Sequence, residues 1–163
     1  MEKSGLKGII LFRGVNNINL DAKGRFAIPT RYREELRVSC ASQLVATIDD
    51  SEKCLLVYPL PEWEKIERKL VELPSMNKQV KKFKRLLIGH ATDCDMDGQG
   101  RVLLTAPLRK FAELNKKAVL IGQGNKFELW DEETWNTRRD EWLEEESLED
   151  SDDLAPELGS LSF

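Results

Sequence analysis

At 163 residues the chain is long enough for one ordinary domain or two small ones. Three widely spaced cysteines, no Cys-x-x-Cys pair and a single histidine disfavour a disulfide framework and a structural zinc site, and they fit a reducing cytosol. The formal net charge of −4 is uneven, because residues 1–130 hold 23 basic and 16 acidic residues while residues 131–163 hold 2 basic and 13 acidic. A basic body with an acidic tail is one cue for a nucleic-acid partner. No apolar run reaches the ~20 residues of a membrane span.

The first predicted elements surround one tight turn. Val15–Leu20 has the weak alternation of a half-exposed strand. Lys23-Gly24 supplies the turn, because glycine tolerates the positive φ of short hairpin loops. Phe26–Ile28 is a short apolar strand, and Pro29 ends it because proline donates no ladder hydrogen bond and favours a first helical turn. The turn and the helix start therefore gather four cations, Lys23, Arg25, Arg31 and Arg33.

The later elements alternate between strands and helices and lead into an acidic segment. Apolar runs predict strands, and the helical spacing of apolar residues after Pro61 predicts a long helix. The predictions are a helix at 30–36, strands at 43–48 and 54–58, helices at 61–73 and 77–88, strands at 102–104, 119–121 and 127–130, and a helix at 132–143. From Glu144 onward, acids, serine and glycine predict disorder with a short helix about Leu148.

An internal repeat relates the two halves of the chain. Leu20–Ile28 recurs as Met96–Leu104 at a constant offset of 76 residues, which indicates two copies of one supersecondary unit. Copies of this size rarely bury enough apolar surface to fold alone, so we expect them to share a core. Trp63 and Trp135 also recur as a pair, which favours core anchors over base-stacking platforms. The matched turn positions are Asp21 and Asp97, Lys23 and Gln99, Gly24 and Gly100, Arg25 and Arg101, Arg31 and Pro107, and Arg33 and Arg109.

Two roles are open for Arg25 and Arg101, which follow the turn glycine in each copy. Either side chain could bind guanine O6/N7 or a phosphate. Either could instead form an ion pair with the turn aspartate, Asp21 or Asp97, that holds the hairpin, and the two roles are compatible. Each cation on a phosphate steepens the salt dependence of binding, so the first copy should contribute more, although Gln99 can still bind a base edge. Lys110, Lys116 and Lys117 are interpreted as ordinary solvated surface, and the lysine-rich helix 78–85 as a solvated face or a subunit contact.

Several motifs resemble parts of enzyme or metal sites but are incomplete. Asp95–Gly100 resembles the start of a calcium loop, but the twelfth position is Ala106, so the bidentate glutamate is missing. Gly122-Gln123-Gly124 lacks the third glycine of a dinucleotide fingerprint. His90 and Cys94 are better explained as a packed histidine beside an inert thiol than as a base and a nucleophile. We therefore predict no catalytic residue, no cofactor, no metal and no small-molecule substrate.

Several motifs carry a family resemblance. Asp-x-x-Gly-Arg followed by an apolar run, a proline and an arginine is similar to the AbrB-type swapped-hairpin DNA-binding module. Two such modules, with Phe12-Arg13-Gly14 in front, Tyr58–Trp63 between them and Leu87–Ala91 before the second, resemble the MraZ family of bacterial transcriptional regulators. The resemblance implies a mixed α/β, β-rich fold in which tandem AbrB-like modules form one pseudo-two-fold core with linking and flanking helices. The expected segments are an N-terminal extension (1–10), module 1 (15–62), linking helices (63–90), module 2 (91–134), and a C-terminal helix with a partly disordered acidic tail (135–163).

Residues 1–10 lie before the part of the chain that resembles the MraZ family, which begins at about Leu11. MraZ sequences usually begin with Met-Phe-Arg-Gly, and Leu11-Phe12-Arg13-Gly14 stands at that place here. One hypothesis is that Leu11 is a TTG initiator and that residues 1–10 are leader sequence. The alternative is a short disordered extension.

The resemblance also implies a function. It implies a DNA-binding regulator, chiefly a repressor of the division and cell-wall gene cluster that includes its own gene. Such a protein would bind promoter repeats in double-stranded DNA as a ring-like homo-oligomer in the cytoplasm, associated with the nucleoid. The expected DNA contacts are Lys23, Arg25, Arg31, Arg33, Gln99, Arg101 and Arg109, and the expected hairpin-structural residues are Asp21, Gly24, Asp97 and Gly100. An antitoxin-like protein that autoregulates and neutralises a toxin is the alternative.

Overall fold

The computed structural model describes residues 11–145 and 155–161. Within these residues the elements are β1 (Phe12–Asn19), β2 (Arg25–Ala27), α1 (Thr30–Cys40), β3 (Leu44–Ile48), β4 (Leu55–Pro59), α2 (Leu60–Glu72), α3 (Lys78–Phe83), a π-helical turn (Lys84–Ile88), β5 (Thr92–Asp93), β6 (Arg101–Leu103), α4 (Ala106–Phe111), β7 (Lys117–Gly124), β8 (Phe127–Asp131), α5 (Glu132–Glu144) and α6 (Pro156–Gly159). They divide at Glu132 into two compact units. None of these helices combines the length and apolar content needed to cross a bilayer.

The first unit is built on an antiparallel six-stranded sheet in the order β1-β7-β8-β4-β3-β5. Exchanging β1 with β5, β3 with β7 and β4 with β8 converts this order into its own reverse. The two repeats are therefore related by a pseudo-two-fold axis. The axis passes between the central strands, where Leu56 of β4 lies opposite Glu128 of β8.

Strands β2 and β6 form a separate two-stranded ribbon, one strand from each repeat. Its register places Phe26 opposite Val102, and both side chains are buried. The pairing extends past the strand ends, because Ile28 N donates to Gly100 O (2.8 Å) and Leu104 N donates to Gly24 O (3.0 Å). Each repeat thus supplies strands that pair with the other, β1 with β7 and β2 with β6. The predicted swapped-hairpin fold is confirmed.

The two faces of the sheet carry separate apolar clusters. The larger cluster joins both repeats and the inner side of the ribbon, and it includes Phe12, Phe26, Leu36, Val102, Leu108 and Phe127. Inside it the ring of Phe12 stacks on Phe127 with centroids 4.3 Å apart. The smaller cluster packs α2 and the π-helical turn on β3 and β4 around Trp63, as expected for a core anchor. The larger cluster draws its residues from both repeats, which agrees with the small size of each copy, whereas the smaller one lies within residues 45–91.

Several element boundaries differ from the sequence prediction. Helix α1 continues to Cys40, where Ala41 in the left-handed conformation terminates it. The second linking helix is split, since α3 gives way at Lys84 to a π-helical turn whose Leu87 carbonyl accepts a hydrogen bond from buried Thr47 (2.7 Å). The short elements β5, α4 and α6 were not predicted. The N-terminal extension 1–10 and the predicted helix about Leu148 lie outside the described residues.

The second unit contains α5 and α6. In α5 the ring of Trp142 lies 6.1 Å from that of Trp135 in an edge-to-face arrangement, and the Arg138 guanidinium lies over it at 4.7 Å. Such pairs stabilise a helix beyond the contribution of area burial alone.

Candidate nucleic-acid interface

The first turn, residues 21–24, is held together by one carboxylate. Asp21 Oδ1 accepts hydrogen bonds from the backbone N–H groups of Lys23 (2.9 Å) and Arg25 (2.8 Å), and Asp21 Oδ2 accepts one from Arg25 Nε (2.8 Å). Gly24 closes the turn with a φ of +89°. The backbone hydrogen bond from Arg25, with the Arg25 side chain, lowers the pKa of Asp21 from 3.8 to about 2. The carboxylate is therefore charged at neutral pH and keeps Arg25 in place.

The second turn, residues 97–100, repeats this arrangement. Asp97 Oδ1 accepts from the backbone N–H groups of Gln99 and Arg101 (both 2.9 Å), and Oδ2 accepts from Arg101 Nε (3.2 Å). The pKa of Asp97 is lowered for the same reason, chiefly by the backbone hydrogen bond from Arg101. Asp97 and Gly100 thus occupy the same places in the second turn that Asp21 and Gly24 occupy in the first.

The ion pairs leave the outer edges of both guanidinium groups open. Arg25 and Arg101 donate to their aspartates through Nε, and within the described part of the chain no acceptor is found for their Nη atoms. Their side chains are 29% and 37% exposed. The two roles left open by the sequence are thus compatible in one geometry, since an anchored guanidinium loses less conformational freedom when it binds a ligand.

The ribbon brings both arginines to one surface. Arg25 lies opposite Leu103 and Ala27 lies opposite Arg101, and because side chains alternate, these four residues share the outer face while Phe26 is buried. Arg25 and Arg101 are diagonal neighbours, which places their Cα atoms roughly 7–8 Å apart. A two-stranded ribbon of this kind has the width that enters the major groove of B-DNA.

Arg33 and Arg109 reach from one repeat to the turn of the other. Arg33 Nε donates to Ile28 O (2.7 Å), and its side chain lies over Gly100 so closely that a Cβ there would be 2.3 Å from Nε. Arg109 Nε donates to Leu104 O (3.2 Å) and lies over Gly24 in the same way, with a distance of 2.5 Å. Both arginines are half-buried, so the structure gives them a packing role in addition to the predicted DNA contact.

Arg31 points away from the turn. Its Nη2 atom donates to Asn16 Oδ1 (2.6 Å) and to the Tyr32 hydroxyl (2.8 Å), while the Tyr32 hydroxyl donates to Arg13 O. A Cβ at Gly14, which has a φ of +110°, would lie 2.3 Å from Arg31 Nη2. The start of α1 therefore packs against the Phe-Arg-Gly motif. Lys23 and Gln99 are exposed at the two turns.

Comparisons with known proteins identify the family to which the chain belongs. A family model described as "MraZ protein, putative antitoxin-like" matches residues 11–86 and, as a second copy, residues 87–155. The chain belongs to the MraZ family.

Relatives in the MraZ family cover most of the chain. The "Transcriptional regulator MraZ" of Methylococcus capsulatus is 63% identical over 153 residues, which is 94% of this chain and 100% of the relative. The protein of the same name from Thioalkalivibrio sulfidiphilus is 60% identical over 136 residues, 83% of this chain and 90% of the relative. That of Pseudomonas aeruginosa is 58% identical over 126 residues, 77% and 83% of the two chains. MraZ proteins are transcriptional regulators, so the family assignment confirms that the chain is not an enzyme.

Proposed function

We propose that this member of the MraZ family regulates transcription by inserting the β2–β6 ribbon into a groove of double-stranded DNA. The observation that supports the proposal most strongly is the outer face of the ribbon, where two arginines from different repeats are fixed by their own aspartates. Anchored side chains on a narrow ribbon fit the geometry of base readout in the major groove. The turns at the two ends of the ribbon would contact phosphates and fix its register on the duplex.

The roles of the candidate residues follow from where they lie. We assign base or phosphate contacts to Arg25 and Arg101 on the ribbon and to Lys23 and Gln99 at the turns. Arg33 and Arg109 would add positive charge beside the turns through their Nη atoms while their Nε atoms hold the backbone. The Arg31 side chain lies against β1, beside the ribbon. Any contact that it makes with DNA would therefore be with the backbone.

Several copies would act together in this proposal. One chain presents only a few cations around its ribbon, and linked copies gain affinity through effective concentration. We therefore propose a ring-like homo-oligomer on closely spaced promoter repeats, in the cytoplasm and associated with the nucleoid. We also propose the target and effect that the family resemblance implies, which are the division and cell-wall gene cluster with its own promoter, and repression.

Equilibrium binding to the DNA upstream of its own gene tests the proposal. Wild type should bind this DNA more tightly than a shuffled sequence of equal length, and Arg25→Ala should lose the preference while keeping its fold and its oligomeric state. Arg37→Ala is the matched control, because Arg37 is an exposed arginine on α1 that also pairs with an acidic residue, Glu34. Equal binding of both DNA sequences by wild type, or an unchanged preference in Arg25→Ala, would contradict the proposal.

The antitoxin alternative is favoured by one observation, the words "antitoxin-like" in the family description. It requires a toxin partner encoded beside this gene. A neighbouring gene whose expression stops growth, and whose effect this protein reverses, would support it. Neighbouring methyltransferase and cell-wall synthesis genes would support the regulator.

A further inference from the structure

The two turns have the same backbone but differ in charge. Lys23 of the first turn corresponds to Gln99 of the second, and the neighbouring strands bring a second difference. Leu20 N donates to Lys116 O (2.7 Å), and at the equivalent place in the other repeat Met96 N donates to Ser42 O (2.9 Å). Lys116 thus lies beside the first turn where the second turn has a serine.

A cleft of about 540 Å³ opens beside the first turn. The first repeat lines it with Leu20, Asp21, Ala22 and Gly24, and the second repeat lines it with Arg109, Leu114, Asn115 and Lys116. Its two cations both come from the second repeat. The Asp21 carboxylate in the same wall is already bound to two backbone N–H groups and to the Arg25 guanidinium, which offset its charge.

The loop that carries Lys116 is fixed. The backbone N–H of Asn115 donates to Asp131 Oδ1 (3.0 Å), and Asp131 is only 4% exposed. At the other end of the loop, Leu114 N donates to Arg109 O (3.0 Å), so Asn115 and Lys116 directly follow an anchored residue. A loop held in this way loses little conformational freedom when it binds a ligand.

We propose that this cleft receives a phosphate of the DNA backbone, that Lys116 is an additional DNA contact, and that each chain grips the duplex more firmly with its first turn than with its second. The inference rests on the proposed function and deepens it. The phosphate would lie between Lys116 and the outer edge of Arg109, next to the base or phosphate contacted by Arg25. From the sequence alone Lys116 is indistinguishable from ordinary surface, because only strand pairing brings it to the turn.

Salt-dependent binding of DNA by Lys116→Ser tests the proposal, since this variant installs the residue of the second turn in the first. Loss of one phosphate contact should lower the slope of log K against log salt by about 0.9 for each subunit engaged. Affinity should fall by a similar factor for its own promoter and for shuffled DNA, because a phosphate contact carries no sequence information. Lys81→Ser is the matched control: it removes the same charge from an exposed lysine of α3 that does not line the cleft.

The outcomes separate this inference from the proposed function. A lower slope in Lys116→Ser together with an unchanged slope in Lys81→Ser supports the cleft. Unchanged slopes in both variants, or equal decreases in both, overturn the proposal for the cleft. The proposed function still stands in that case if Arg25→Ala loses its preference for the promoter DNA. A wild-type protein that binds neither DNA overturns both. Sedimentation of each variant checks that the oligomeric state is the same as that of wild type.

Discussion

Gly100→Ala probes the contact by which one repeat holds the turn of the other. Gly100 closes the second turn with a φ of +79°, and the Arg33 side chain lies directly over its Cα. A methyl group at this position would lie 2.3 Å from Nε, 2.6 Å from Cδ and 2.7 Å from Cζ of Arg33. The arginine would therefore have to move.

Two costs add in this variant. An L-residue in the left-handed region costs about 1–2 kcal/mol relative to glycine. Displacing Arg33 weakens its 2.7 Å hydrogen bond to Ile28 O, which contributes about 1 kcal/mol in a typical case. The free energy of unfolding should therefore fall by about 2–3 kcal/mol.

Urea denaturation at equal protein concentration measures this change, because the apparent stability of the homo-oligomer that we propose would depend on concentration. Gly98→Ala is the matched control in the same turn, since a Cβ at Gly98 meets no atom within 4 Å and its φ lies outside the left-handed region. Its effect should stay within about 0.5 kcal/mol. In an Arg33→Ala background the cost of Gly100→Ala should fall by about 1 kcal/mol, the coupling between the two side chains. Equal effects of the two glycine substitutions would show that neither the positive φ of Gly100 nor its contact with Arg33 limits the residue at this position.

Three further predictions concern stability. Asp21→Asn should flatten the dependence of Tm on pH between about 4 and 2, because the pKa of Asp21 is about 2 instead of 3.8, so its stabilising charge is present above pH 4 and is lost as the pH falls; an unchanged Tm profile would contradict this. Glu128→Gln should raise Tm at pH 7 but not in acid, because burial raises the pKa of Glu128 and its charged form costs stability, while the amide oxygen can still accept from Trp130 Nε1 (2.8 Å); a lower Tm at pH 7 would count against it. Thr47→Val should cost about 1–3 kcal/mol in urea denaturation, because it leaves the Leu87 carbonyl without the 2.7 Å bond, and Thr47→Ser should cost less; equal losses would show that the hydroxyl is not the cause.

The turns could be predicted from sequence because their contacts are local. Asp21 and Arg25 are four residues apart, and the glycine between them allows the chain to bend back on itself. The same spacing recurs at Asp97 and Arg101, which made the internal repeat recognisable in the sequence. These features depend on short-range geometry, which one stretch of sequence specifies.

The contacts between repeats could not be predicted in the same way. The Arg33 side chain lies over Gly100, and Leu20 N donates to Lys116 O. Both contacts depend on pairing between strands that are far apart in the chain. A repeat shows that two units exist, but not which strand of one pairs with which strand of the other. The π-helical turn was missed for a related reason, since its Leu87 carbonyl is bound by Thr47 from a distant strand.

Hydrogen exchange with and without its own promoter DNA tests most directly whether the ribbon is the DNA-contacting surface. We expect DNA to slow exchange of backbone amides in residues 21–27 and 97–103, with the larger effect in the first range. Exchange in α3 should stay unchanged. Protection confined to α3 or to the segment after Glu144, with both turns exchanging as fast as in the free protein, would show that the ribbon does not contact DNA.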